Sequence, residues 1–250
     1  MALGEMAARI AHEIKNPLTA IGGFARRIAS PKPGRGAPPV ERYARIILKE
    51  VERLERIINE TLYFSREMAP TFRIVNMNVE IRDVLSMFRE EFEEARISAV
   101  IDLSPDLPPI SADPDQIRQV VWNLVSNAIQ AMGGSGVLTV GTHLADPAEG
   151  TGVVLEVSDT GGGIPQDVVH NIFNPFFTTK AKGTGLGLPI VHAIVEKHGG
   201  TIHLDNREGV GVAFSIFLPL FPKEVGTGDR ILEQMRKGRV NGNGTKTHSG

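Results

Sequence analysis

Residues 3–28 read LGEMAARIAHEIKNPLTAIGGFARRI, and their apolar positions fall on two interleaved heptad series, Leu3, Ile10, Pro17, Phe24 and Ala7, Ile14, Ile21, Ile28. That spacing predicts a helix with a bundle seam. Ser30-Pro31-Lys32-Pro33-Gly34-Arg35-Gly36-Ala37-Pro38-Pro39 must stop it, because two proline clusters flank glycines that weaken a helix. A hairpin loop is expected there. Val40, Ala44, Ile47, Val51, Leu54, Ile58 and Thr61 then resume the same spacing, and Leu48, Ile57 and Leu62 widen the apolar stripe. So wide a stripe calls for a four-helix bundle, which one hairpin completes only by pairing with a second copy. A homodimer is therefore expected.

Met68-Ala69-Pro70 ends the second helix, and the pattern changes. Phe72 to Val75 and Ile97 to Leu103 read as strands around an amphipathic helix from Val79 to Ala95. Asp113-Pro114-Asp115-Gln116 carries a helix start: Asp as cap, Pro at the first position and Gln three residues after the cap. That helix should run to Met132 and stop at Gly133-Gly134. Val137 to Leu144 and Val153 to Ser158 read as strands, Leu188 to His198 as a helix, and Thr201 to Leu204 with Val210 to Leu218 as a closing hairpin. Strands mixed with helices indicate a two-layer α/β sandwich rather than a Rossmann repeat. The fold class is thus α+β, with residues 1–69 a helical hairpin, 70–222 the sandwich and 223–250 a tail expected to be largely disordered.

Composition narrows the function classes. The 250 residues include no Cys and carry a formal charge of 27 − 29 = −2. A disulfide scaffold, a zinc-cysteine module and a strongly basic nucleic-acid arm are excluded. No stretch approaches the ~20 apolar residues of a membrane span, and residues 1–5 show no secretory pattern. The chain is read as cytoplasmic, or as the cytoplasmic part of a longer, membrane-anchored protein. Gly stands out: 27 residues of 250 is well above the roughly 7% of average usage, so the positions of the glycines matter.

Several side chains suggest chemistry. With Ile14 on the seam, His12 faces away from it, and Glu13 is adjacent while Asn16 lies one turn on along the same face. Pro17 has no amide for the carbonyl of Glu13, which interrupts the helix ladder just past the histidine. Asn16 stands where a zinc-protease helix needs its second His, so metal hydrolysis is set aside. An exposed imidazole beside a carboxylate suits a nucleophile, although a lone His on a solvated face is the common case. Asn123 and Asn127 share a ridge, either as oxygen ligands for a Mg²⁺ ion that keeps waters and shares phosphate oxygens, or as a solvated face. Asp159-Thr160-Gly161-Gly162-Gly163 follows a strand, where Asp159 either caps the turn or accepts from an exocyclic amine such as adenine's. Gly183-Thr184-Gly185-Leu186-Gly187 opens a helix with Lys180 and Lys182 just before it, an arrangement suited to phosphate. It is neither a Walker loop nor a dinucleotide fingerprint. Phe176 and Phe177 between the loops are either core or a lid hinge.

Taken in order, these features resemble the sensor histidine kinases of two-component signalling. Residues 11–18 resemble the phospho-acceptor box, 123–128 the asparagine box, 159–163 the first glycine box, 173–177 the phenylalanine box and 183–187 the second glycine box. Asn123 to Met132 is similar to the nitrogen-regulation-type members. The resemblance implies a dimerisation and phosphotransfer hairpin followed by an ATP-binding sandwich of the kind shared with gyrase, chaperone and mismatch-repair ATPases. It implies that His12 attacks the γ-phosphate of ATP with Glu13 as base, and that Asn127 and Asn123 hold Mg²⁺. Asp159 would select adenine, with Gly161 and Gly163 allowing close backbone approach. Lys180, Lys182, Thr184, Gly185 and Gly187 would lie along the phosphates, with residues 174–182 as a mobile lid, and Ile164, Phe177, Gly183, Leu186 and Leu188 would complete the ATP site. The phosphoryl group would pass to an aspartate of a response-regulator receiver domain, and Asn16 could also orient a water that dephosphorylates that partner. Neither nucleic acid nor a membrane is expected as a partner of this chain. Because no input module precedes Leu3, the chain is expected to be a piece of a longer protein or to sense through a partner. The rival readings are a dimeric scaffold with a degenerate nucleotide site, and a plain ATPase with the hairpin as a clamp.

Overall fold

The computed structural model describes residues 3–30, 39–65, 69–146, 150–180 and 183–222, with the backbone alone at 3–9, 56, 59, 60 and 62–65. In chain order the elements are α1 (Leu3–Ala29), α2 (Val40–Ser65), β1 (Arg73–Val75), α3 (Met77–Met87), α4 (Arg89–Glu94), β2 (Ile97–Leu103), β3 (Ile110–Ala112), α5 (Pro114–Met132), β4 (Gly136–Leu144), β5 (Gly152–Asp159), α6 (Gly187–Lys197), β6 (Thr201–Arg207) and β7 (Gly211–Pro219). A 3₁₀ turn lies at Val169–Asn171. The described residues divide into two compact units, Met1–Ala69 with Pro165–Ala193, and Pro70–Ile164 with Ile194–Gly250. The expectations for the loop at Pro31 to Pro38, the helix stop at Met68, the side chain of Leu62, Lys182 and the tail after Pro222 lie outside the described residues.

In the first unit α1 packs on α2. Phe24, late in α1, meets Tyr43, early in α2, with ring centroids 5.2 Å apart, so the helices run antiparallel as a hairpin. Helix α1 is continuous through Pro17, which is buried. Ile10, Ile14, Ile21, Phe24 and Ile28 are only half-buried, and among the side chains described on the hairpin only Pro17 and Ile57 are buried. Leu18 and Leu48 are 53% and 61% exposed.

The second unit is built on a five-stranded sheet of order β2-β4-β5-β7-β6, parallel between β2 and β4 and antiparallel elsewhere. Along β4 the period of two is plain: Leu138, Val140 and Thr142 are buried, while the residues between them are not. Helix α5 lies on β4 and β5 and buries Ile117, Val121, Leu124, Val125 and Ala128. Its start is the predicted one, because the Asp113 carboxylate accepts the amides of Asp115 at 3.0 Å and Gln116 at 3.2 Å. It ends at Gly133 in the left-handed conformation, φ 64°.

Two expectations needed correction. The single helix from Val79 to Ala95 is two helices, parted at Phe88, which has left the helical region (φ −90°, ψ 4°). Its ring is 1% exposed and lies 4.4 Å from Trp122 and 6.0 Å from Phe92, so burial of an aromatic decides the break. Strand β3 was missed. Its three residues follow two prolines, are all buried and show no alternation, yet they pair with β1 in the register Arg73↔Ala112, Ile74↔Ser111, Val75↔Ile110.

Candidate functional site

His12 stands on α1 with its ring exposed, as the heptad phase predicted, and its Nδ1 lies 3.4 Å from the Asn16 amide nitrogen. Glu13 is half-buried and Asn16 exposed on the same turn of the helix. Lys15 lends its carbonyl to the Thr19 hydroxyl at 2.8 Å.

In the second unit, Asn123 is 5% exposed, with its oxygen accepting from Gln119 at 3.4 Å, so it is no solvated face. Asn127, one turn on, is half-buried. Its amide oxygen suits a hard cation that retains waters and phosphate oxygens. Asn123 lies deeper, and its oxygen already has a partner on α5. Asp159 ends β5 half-buried, and its Oδ1 accepts the Gly161 amide at 2.8 Å, so it caps the turn. That glycine is required: a Cβ there would lie 2.8 Å from Asp159 Oδ1 and 3.0 Å from Ala131 at the end of α5. Thr160 ties the loop to β4, donating its amide to the Val137 carbonyl at 3.1 Å and accepting the Val137 amide at its hydroxyl at 2.9 Å.

The far side of this loop rests on residues that local sequence does not announce. The Asn206 side chain brackets Ile164, accepting its amide at 2.8 Å and donating to its carbonyl at 2.7 Å. The Gly209 amide donates to the Gly162 carbonyl at 2.7 Å. Gly163 has φ 68°, and a Cβ on it would meet the Arg207 carbonyl oxygen at 2.5 Å. The first glycine loop is therefore fastened to the β6–β7 turn over 42 residues of sequence, a distance at which no periodicity carries a signal.

In the first unit, residues 173–187 form the second candidate loop. Phe176 is buried with φ 65°, and its amide donates to the Gly185 carbonyl at 2.9 Å. Gly185 has φ 66° and lies against the backbone of Phe176 and Phe177, where a Cβ would sit 2.5 Å from Phe176 C. The loop from 177 to 184 is thus pinned at its neck. Phe176 is core, whereas Phe177 is half-buried. Within the loop, Thr178 Oγ1 accepts the Lys180 amide at 3.1 Å and Thr184 Oγ1 the Leu186 amide at 3.2 Å. Leu186 is buried, Gly183 and Leu188 half-buried, and α6 begins at Gly187. Lys180 is exposed.

One chain thus carries a helical hairpin that presents an imidazole, a five-stranded α/β unit, and two glycine loops. Residues 2–70 match the His Kinase A (phospho-acceptor) domain, and residues 112–222 match the Histidine kinase-, DNA gyrase B-, and HSP90-like ATPase. The chain belongs to the histidine kinases. The sensor histidine kinase ZraS of Escherichia coli (strain K12) is 41% identical over 220 residues, which cover 88% of this chain and 46% of ZraS. The chain thus spans about half the length of the curated relatives it matches. Among solved structures, the catalytic domain of histidine kinase ThkA is 38% identical, with TM-score 0.55 over 61% of this chain and 97% of that one. ThkA in complex with the response regulator protein TrrA is 37% identical, with TM-score 0.69 over 89% of this chain and 63% of that one. Among the described residues no helix is long and apolar enough to cross a membrane.

Proposed function

We propose that the chain is an ATP-dependent protein-histidine kinase that phosphorylates His12 and passes the phosphoryl group to an aspartate of a response-regulator receiver domain. The observation that carries this reading is the exposed His12 with Asn16 one turn on, inside a phospho-acceptor domain and in one chain with the ATPase domain. His12 attacks the γ-phosphorus through the ring nitrogen that carries the lone pair, the bond to the β–γ bridging oxygen breaks, ADP leaves, and Glu13 takes the proton from the other ring nitrogen. Such transfer depends on positioning and on neutralising charge more than on covalent work by the protein.

The ATP ligands follow the family pattern. Asn127, with Asn123 behind it, would hold Mg²⁺, which when bound neutralises phosphate charge. Asp159 takes the adenine amine, Gly161 and Gly163 let the base approach the backbone, and Ile164 belongs to the same ATP site. Lys180, Lys182, Thr184, Gly185 and Gly187 lie along the phosphates, with residues 174–182 as a lid, and Phe177, Gly183, Leu186 and Leu188 complete the ATP site.

The boundaries 1–69 and 70–222 divide phospho-acceptor from catalytic work. A homodimer is supported by Leu18, Leu48 and Ile58, which lie exposed on a hairpin that buries little by itself. A regulator partner is supported by the ThkA–TrrA complex. Cytoplasmic location and membership of the nitrogen-regulation-type group, the latter from residues 123–132, belong to the same reading.

Incubation with γ-labelled ATP tests it: acid-labile label on the chain, abolished in His12→Gln, is expected. Label surviving that substitution, or none on the unaltered chain, overturns it. A second reading, phosphatase activity toward the regulator, rests on the exposed Asn16 amide beside the ring. Asn16→Ala should abolish dephosphorylation of the phosphorylated regulator, and unchanged turnover would sink that role.

A further inference from the structure

His198 closes α6 with 1% of its surface exposed, and its two partners fix its tautomer. A carbonyl only accepts, so Nδ1, 2.8 Å from the Ile194 oxygen, carries the hydrogen. Nε2 is left with its lone pair and accepts the Asp113 amide at 3.0 Å. Asp113 in turn caps α5 through Oδ1, while its Oδ2 accepts the amide of Thr71 at 2.7 Å. The Phe72 ring lies edge-on to the His198 ring, centroids 5.1 Å apart. From Arg73 onward the same segment is zipped to β3, whose last residue, Ala112, immediately precedes Asp113. One node therefore joins the end of α6, the start of α5 and the segment by which the chain enters the second unit from the hairpin.

That segment is only lightly held. Thr71 is exposed and Phe72 half-buried, so lifting both uncovers little more than one ring. Segments with few buried contacts open locally well before a domain unfolds. The node itself is rigid: an aspartate with three backbone donors and a buried ring with both nitrogens engaged.

We propose that Asp113 and His198 are positioning residues that latch Thr71 and Phe72 to the start of the helix bearing Asn123 and Asn127, and so shorten the stretch of chain left between the phospho-accepting hairpin and its first anchor on the nucleotide domain. The catalytic consequence rests on the kinase reading, while the latch itself does not. Opening it frees Thr71 and Phe72 and leaves the short β1–β3 ladder, which starts at Arg73, to fray from its end, so the connecting stretch lengthens by two residues and by up to five where β1 follows. Effective concentration falls as about the −3/2 power of tether length, so a doubling costs about threefold.

The test uses the full chain carrying Thr71→Pro, which removes the donated amide but leaves the carboxylate cap, together with Phe72→Ala. Hydrogen exchange at residues 73–75 should rise at least tenfold while α5 keeps its protection. Affinity for a non-hydrolysable ATP analogue should stay within twofold, and the rate of His12 labelling at saturating ATP should fall about threefold. Unchanged exchange overturns the latch. Raised exchange with an unchanged labelling rate overturns its positioning role, and so does loss of α5 protection and nucleotide affinity together, which would make the node a support of the fold alone. If the unaltered chain takes no label, the kinase reading fails, and exchange alone decides the latch.

Discussion

At Arg96 and Phe176 the backbone has φ of 50° and 65°, a region that costs a residue with a side chain roughly 1 kcal/mol or more. The two positions answer differently. Arg96 is exposed and follows α4, donating its amide to the Glu93 carbonyl at 3.2 Å, a place where glycine ends a helix without penalty. Arg96→Gly is predicted to stabilise the second unit by about 0.5 kcal/mol, because relief of strain outweighs the added freedom of the unfolded chain. A urea midpoint that rises at constant slope would bear this out, and an unchanged or lower midpoint would refute it. Phe176 is held in the same conformation by burial and by the bond from its amide to Gly185. There Phe176→Gly should destabilise by about 3 kcal/mol, since loss of a buried ring exceeds the strain relieved.

Among the elements, α5 was legible from end to end because its signals are local: Asp113, Pro114 and Gln116 at one end and Gly133 at the other. The hairpin was legible through its heptads for a similar reason. Strand β3 and the break at Phe88 were not, since three buried residues show no period and the break follows from Trp122, 34 positions on. Sequence order singled out the glycine loops, but which glycine matters is a matter of distant backbone. Gly185 has positive φ and no room for a methyl group, whereas Gly162 has open space around the position of a Cβ. Gly185→Ala is therefore predicted to break the neck of the 177–184 loop and weaken ATP binding by tenfold or more, about 1.4 kcal/mol. Gly162→Ala should stay within about twofold, a factor worth less than RT. Equal losses in the two variants, measured by titration with an ATP analogue, would show that both loops depend on flexibility rather than on close approach.

For the molecule as a whole, the sharpest dependence on conditions comes from His198, the one deeply buried histidine among the described residues. Burial holds the His198 ring below its usual value, against the smaller opposite pulls of the Ile194 carbonyl and the Asp113 carboxylate. Protonation would also place a hydrogen on Nε2, facing the Asp113 amide, so the charged form cannot keep that bond. In the unfolded chain the same ring titrates near its ordinary value of about 6.5. Below that pH the unfolded state binds more protons than the folded one, so stability rises with pH across this window. The contribution of His198 is thus complete above about pH 6.5 and declines as the pH falls from there toward the folded value. Denaturant titrations of the full chain between about pH 7.5 and 5 should show a falling midpoint. In His198→Asn the starting stability should be lower, because the amide of Asp113 and the carbonyl of Ile194 are less well met, but the slope attributable to this ring should vanish. A variant that loses stability yet keeps the full pH slope would place the dependence on other groups. It would also remove protonation of His198 as a means of loosening the hold on Thr71 and Phe72.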